Sequence, residues 1–197
     1  TILDPSMPIA EHPSLVLSDN LPAFPMLSSP IEFPCYIDAV HGNDLCCRHS
    51  TAGYAVGRRS TAGYGFVLCG ATVSYRTKTQ FITATCATEA EFLAAVLAAK
   101  HGKYLRATLK ELGLPQDGPT PICEVNMSAT QMINAKAPTE RSRHIDIQFF
   151  AIQDWKEAQE IVMRHIPGII NPSDDLTKPL GWVLHARHAR RMMGHYG

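Results

Sequence analysis

The sequence has little charge and no net charge. Charged residues make up 18% of the 197, and 18 Lys plus Arg are matched by 18 Asp plus Glu. A chain that grips nucleic acid by bulk positive charge is thereby excluded. Contact with nucleic acid would have to come from local patches or through metal ions. No CxxC pair occurs among Cys35, Cys46, Cys47, Cys69, Cys86 and Cys123, and no cysteine stands at a zinc-ligand spacing from paired histidines, which argues against a structural zinc site. These cysteines lie mostly in apolar runs and read as reduced core residues. No run approaches the ~20 apolar residues of a membrane span, and nothing at the start resembles a signal peptide, so no membrane partner is expected. Thr1 in place of Met suggests a fragment or a processed piece. Hydrophobic residues, at 45%, suffice for one buried core, so wholesale disorder is also excluded.

Two segments differ in texture. Residues 1–33 carry Pro5, Pro8, Pro13, Pro22, Pro25 and Pro30, a spacing that blocks helices and ladders and reads as a linker or surface arm. Residues 34–197 read as one domain. Within it, residues 35–39, 63–69 and 72–76 read as strands, with Cys69-Gly70-Ala71 as a hairpin turn. A helix is expected from Thr88, with Thr88 and Glu91 as a capping box and Gly113 and Pro115 as the stop. A strand at 121–125, helices from near Ser128 and over 142–160, a strand at 161–166 and a basic helix from about Trp182 complete the order βββαβααβα, the pattern of a mixed sheet with helices on its faces. Ser50-Thr51-Ala52-Gly53-Tyr54 recurs as Ser60-Thr61-Ala62-Gly63-Tyr64, a local duplication that lengthens the loop after the first strand.

Acidic residues are sparse in the apolar segments, so their places are informative. Asp38 ends the first strand, Glu91 lies one turn into the first helix, and Asp174 opens the last helical region. Three carboxylates on different elements can converge, and carboxylate oxygens are the natural ligands of Mg²⁺. Each also has a plainer reading: a turn acid for Asp38, a cap partner for Glu91, a helix N-terminal charge for Asp174. On spacing alone the plainer readings are favoured.

Longer motifs shift that balance. Tyr36-Ile37-Asp38-Ala39, Arg59-Ser60-Thr61-Ala62-Gly63-Tyr64, Thr88-Glu89-Ala90-Glu91-Phe92, Arg143-His144-Ile145-Asp146-Ile147 and Asn171-Pro172-Ser173-Asp174-Asp175-Leu176-Thr177-Lys178-Pro179-Leu180 follow one another in order. Together they resemble the RNase H domain of copia-type retrotransposon polyproteins, over residues 34–197. The resemblance implies an α/β fold, RNase H-like, with a five-stranded mixed sheet flanked by helices. It implies endonucleolytic cleavage of RNA in an RNA/DNA hybrid, with a reverse transcriptase domain N-terminal in the parent polyprotein; the lack of a targeting signal leaves an intracellular setting, cytoplasmic or nuclear, as the expectation. It also implies two Mg²⁺ (or Mn²⁺) ions among four acids.

Carried over by position, the catalytic and metal-binding acids are Asp38, Glu91 and Asp174, with Glu89, Glu124 and Asp175 as fallbacks. The third acid of the family, an Asp before Asn at a strand end, falls on Val125. Glu124 is one residue earlier, and strand alternation is expected to turn it away from the site. Such a chain is a weakened or inactive copy holding two ions, one or none. The alternative is a non-catalytic remnant that keeps the fold as a nucleic-acid or protein interaction module. Arg187, Arg190 and Arg191 form a basic helix end suited to a phosphate backbone, or equally a solvated cationic face. His144 and Asp146 are expected to have a structural role on a helix, and Trp155 and Trp182 to pack.

Overall fold

The structure is a computed structural model, and it describes residues 33–41, 59–135 and 146–194. Most of the Pro-rich segment, the first copy of the Ser-Thr-Ala-Gly-Tyr repeat, and Arg143 and His144 lie outside the described residues.

Five strands form one mixed sheet in the order β3-β2-β1-β4-β5. They are β1 (Cys35–Val40), β2 (Thr61–Leu68), β3 (Ala71–Thr79), β4 (Thr120–Glu124) and β5 (Ile161–His165). β1 is central, antiparallel to β2 and parallel to β4. The β2–β3 turn places Cys69 at φ 49° and Gly70 at φ 87°. Two successive positive φ values match the right-handed twist of a hairpin, and a glycine takes one of them without strain.

Helices α1 (Ala87–Glu111), α2 (Met127–Asn134), α3 (Asp146–Glu157) and α4 (Trp182–Met192) complete the expected order. The stop of α1 is as the sequence suggests. Gly113 is left-handed at φ 80°, its N–H donates to the Lys110 carbonyl, and the Leu114 N–H donates to that of Leu109, the paired bonds of a Schellman motif. The start differs. Cys86, not Thr88, is the cap residue, and Glu89 reaches back to the Thr85 N–H (2.7 Å) and hydroxyl (2.6 Å). The box is thus shifted by two residues, which leaves Glu91 free of capping.

The faces of the sheet are unequal. Cys35, Ile37, Ala39, Tyr64, Phe66 and Ile122 point toward α1 and α3 and form the main core with Phe92, Phe149 and Ile152. Phe33 stacks on Phe66 at 5.1 Å, extending this core to the chain ahead of β1. Tyr36, Val67, Cys123, Ile166 and Ile170 form a smaller cluster on the opposite face. Among the described residues Cys35 and Cys123 are buried, whereas Cys69 and Cys86 are exposed, so only part of this set serves the core.

A short 3-10 segment, Pro172–Leu176, crosses the sheet beside β1 and β2. It fits because Gly63, opposite Asp38 in the β1–β2 register, has no side chain. A Cβ there would lie 2.6 Å from the Thr177 methyl and 2.7 Å from the Leu176 Cβ. The glycine of the second repeat copy therefore sets how closely the acidic segment approaches Asp38.

Candidate active site

The site is built where β1 ends. β1 pairs with β4 only at Cys35↔Ile122 and Tyr36↔Cys123. From there the side chains of Asn171 and of the 3-10 segment take β1 carbonyls. Asn171 Nδ2 donates to the Ile37 carbonyl (2.8 Å), and Ser173 Oγ donates to that of Tyr36 (2.7 Å). Asn171 Oδ1 also accepts the Ser173 N–H (3.2 Å). Both side chains are buried, so this clamp rather than the local turn holds the segment on the sheet. It delivers Asp174, Thr177 and Lys178 to Asp38.

Asp38 is 3% exposed. Its Oδ2 accepts the Thr177 hydroxyl, and its Oδ1 accepts Lys178 Nζ at 2.9 Å. Lys178 also reaches Asp174 Oδ1 at 3.0 Å, its backbone N–H bound to the Asp174 carbonyl at 2.9 Å. Burial pushes the Asp38 carboxyl up against the opposing pull of Thr177 and Lys178. For Lys178 burial works downward, but the two aspartates outweigh it and hold the ammonium above its usual range.

Glu91 comes to the same strand end from α1 and is 8% exposed. It accepts the Ala39 backbone N–H, and its Oε2 is buried without a partner. Burial, then the charge of Glu124, then that of Asp38 push its carboxyl up to about 10. Glu89, the fallback, is committed to the α1 cap.

Glu124 corrects the expectation from strand alternation. It does face away from Tyr36 and Cys123, in phase with Ile122, but that is the face α1 covers, and there it meets Glu91. Alternation assigned the face; it could not say that one of the site's carboxylates arrives from a helix on that face. Glu124 is fully buried. Its Oε1 accepts the Asn126 N–H at 2.7 Å, and its Oε2 has no partner. Burial, with Asp38 opposing its charge, pushes it up to about 7. Val125 lies in phase with Cys123 and packs on the small cluster, its Cγ1 3.3 Å from where a Gly168 Cβ would stand.

The remaining sequence candidates separate from this group. Asp175 turns toward α4, its Oδ2 3.3 Å from His185 Nδ1; burial raises its carboxyl. Arg187, Arg190 and Arg191 are half-buried along α4. Trp155 packs on the core with Lys103 over its ring, whereas Trp182 is 39% exposed at the start of α4.

Hard carboxylate oxygens suit Mg²⁺ and Mn²⁺. Two of them, on Glu91 and Glu124, are buried without any partner, a costly arrangement unless a cation or proton answers it. The donor set therefore fits a divalent ion. Among the described residues no three His, Cys, Asp or Glu side chains already converge on one point, so ligands would have to turn on binding.

Known proteins share this fold. Among solved structures, LC11-RNase H1, isolated from compost, superposes with a TM-score of 0.52 at 16% identity, covering 74% of this chain and 91% of that one. A foamy viral protease-reverse transcriptase in complex with RNA/DNA hybrid gives 0.50 at 14% identity, over 93% of this chain and 24% of that one. The retrovirus-related Pol polyprotein from transposon TNT 1-94 of Nicotiana tabacum is 32% identical over 131 residues. The chain has an RNase H fold and is similar, over part of its length, to a retrotransposon Pol polyprotein. The match covers 64% of this chain and 10% of the tobacco polyprotein. No protein-family model matches. Among the described residues of this RNase H-fold domain, no helix is long and apolar enough to cross a membrane.

The sequence places His188 in the basic end of the last helix and gives no sign that it is buried. His188, on α4, is fully buried, with no hydrogen-bond partner at either ring nitrogen. Burial lowers its pKa to about 4, against the pull of Asp174. A depressed histidine contributes stability that is complete above its unfolded value of 6.5 and is lost as pH falls toward 4. At about pH 5 the wild type is expected to be ~2 kcal/mol less stable than at neutral pH through this group alone. Urea unfolding of His188→Leu should lack that loss; an equal acid loss in both proteins would remove His188 as its cause.

Proposed function

We propose that this chain is the RNase H domain of a retrotransposon Pol polyprotein of copia type, and that it hydrolyses RNA in RNA/DNA hybrids with Mg²⁺ or Mn²⁺. The observation that carries the reading is the group of buried carboxylates from β1, α1 and β4 at one strand end, two of them with an unpartnered oxygen, joined by the half-buried Asp174 of the 3-10 segment. Asp38, Glu91 and Asp174 are the acids that the motifs assign to metal binding, and Glu124 joins them from the α1 side. Bound ions would supply an activated water and neutralise charge on the scissile phosphate. The chain's own residues do the rest. The Asn171 and Ser173 clamp orients Asp174, Thr177 fixes one Asp38 oxygen, and the shell around Glu91 and Glu124 excludes water. The arginines of α4 lie on a half-buried face suited to a backbone phosphate. The hybrid as substrate is supported by the likeness to the foamy viral enzyme bound to one.

Activity should be weak, because Val125 offers no oxygen where the motif places an acid. A second reading, a non-catalytic module that keeps the fold, is favoured by the absence of a preassembled three-ligand group among the described residues. Labelled RNA annealed to DNA, to RNA, or left single-stranded separates the two. The proposal expects slow, EDTA-sensitive cutting of the hybrid alone; no cutting of any substrate at high enzyme favours the module.

A further inference from the structure

The carboxylate group divides into two unlike halves. In one, Asp38 and Asp174 already share a cation: Lys178 Nζ lies 2.9 and 3.0 Å from their Oδ1 atoms, the short distances of charge-assisted hydrogen bonds. In the other, Glu91 and Glu124 each bury an Oε2 with no partner. Resting on the reading above, we propose that Lys178 is the resident cation of the first half, and that this domain takes a single divalent ion, at the Glu91–Glu124 half with Asp38 between the two.

The placement of Lys178 is not that of a loose surface lysine. Its backbone N–H bonds the Asp174 carbonyl four residues back, and the 3-10 segment carrying both is clamped to β1 through Asn171 and Ser173. The turn therefore delivers Nζ to the gap between the two aspartates. A second ion entering there would have to displace an ammonium already bonded to both ligands. Asp38 offers it no idle oxygen, since Oδ1 takes Lys178 and Oδ2 takes Thr177. An ammonium standing in for an ion would also remain a fixed positive charge beside the substrate phosphate.

Counting bound Mn²⁺ at equilibrium, from the paramagnetic resonance of the free ion, tests this without any turnover. The wild type is expected to bind one Mn²⁺ per chain, Lys178→Arg one, and Lys178→Met two. Glu124→Gln should weaken the single wild-type ion by roughly tenfold or more. Two ions of similar affinity on the wild type would overturn the proposal even if Lys178→Met failed to fold. So would a count of one on a folded Lys178→Met. If wild type and variants bind none, the carboxylate metal site itself falls and this inference with it. If the wild type binds two and cuts hybrid, the RNase H reading stands and only the lysine's role is lost.

Discussion

Replacing Val125 by aspartate is expected to raise metal-dependent cleavage of an RNA/DNA hybrid by roughly 10–100-fold, the usual scale for restoring a group that supports a metal site. Val125 follows β4 in phase with Cys123, on the face of Tyr36. The β1–β4 register, Tyr36↔Cys123, puts position 125 level with Asp38 two residues on. A carboxylate there would stand beside Asp38 on the open side of the sheet, where Glu124, turned to the α1 side, cannot. The substitution also has a cost. Val125 packs on Ile166 and Ile170, and an aspartate among them without a metal should lower stability by about 1–3 kcal/mol. Mg²⁺ should restore part of that loss, so thermal unfolding with and without the ion reports whether the new carboxylate ligates. A gain in stability without a metal, or no metal response, would mean that position 125 does not face the site.

The second large effect concerns Glu124 in the metal-free protein. Its folded pKa is raised from 4.5 to about 7. A raised carboxyl contributes fully to stability only below its unfolded value, and that contribution is lost as pH rises through the folded value. Between about pH 5 and about pH 8 the loss through Glu124 should be on the order of 3 kcal/mol. Glu91, raised to about 10, adds to the cost over the same range because Glu124 is the charge acting most strongly on it. Glu124→Gln keeps an oxygen for the Asn126 N–H but removes the charge. It should therefore be more stable than the wild type at alkaline pH, with a flatter pH dependence, while losing stabilisation by Mn²⁺. Parallel pH profiles for the two proteins would show that the two glutamates do not repel each other in the folded state.

Much of this architecture is legible in the sequence because it rests on local signals. Gly113 ends α1 by adopting a left-handed conformation that other residues resist. The apolar alternation of Cys35, Ile37 and Ala39 against Tyr36 marks β1 as a strand buried on both faces. Asp38 and Glu91 are found where the motifs put them, at one strand end. What escaped the sequence depends on contacts between distant elements. The α1 cap was misplaced because Glu89 and Glu91 both stand near a threonine, and only the fold shows that Glu89 reaches Thr85 while Glu91 accepts the Ala39 N–H and faces the like charge of Asp38. Glu124 was given the right face and the wrong meaning, since alternation along β4 is silent about the helix that packs there. Lys178 belongs to a quoted motif, but its bridging of two aspartates depends on Gly63 opening space for the 3-10 segment on β2. His188 carries no motif, and its burial is visible only once α4 is docked.

The central claim is that buried carboxylates around Asp38 make this domain a metal-dependent RNase H weakened at position 125. The most direct measurement is Mg²⁺-dependent cleavage of one labelled RNA/DNA hybrid by the wild type, Asp38→Asn and Val125→Asp, side by side. The account predicts slow cutting by the wild type, none by Asp38→Asn, and faster cutting by Val125→Asp. Cutting that survives Asp38→Asn, or a folded Val125→Asp that cuts no better than the wild type, would contradict it.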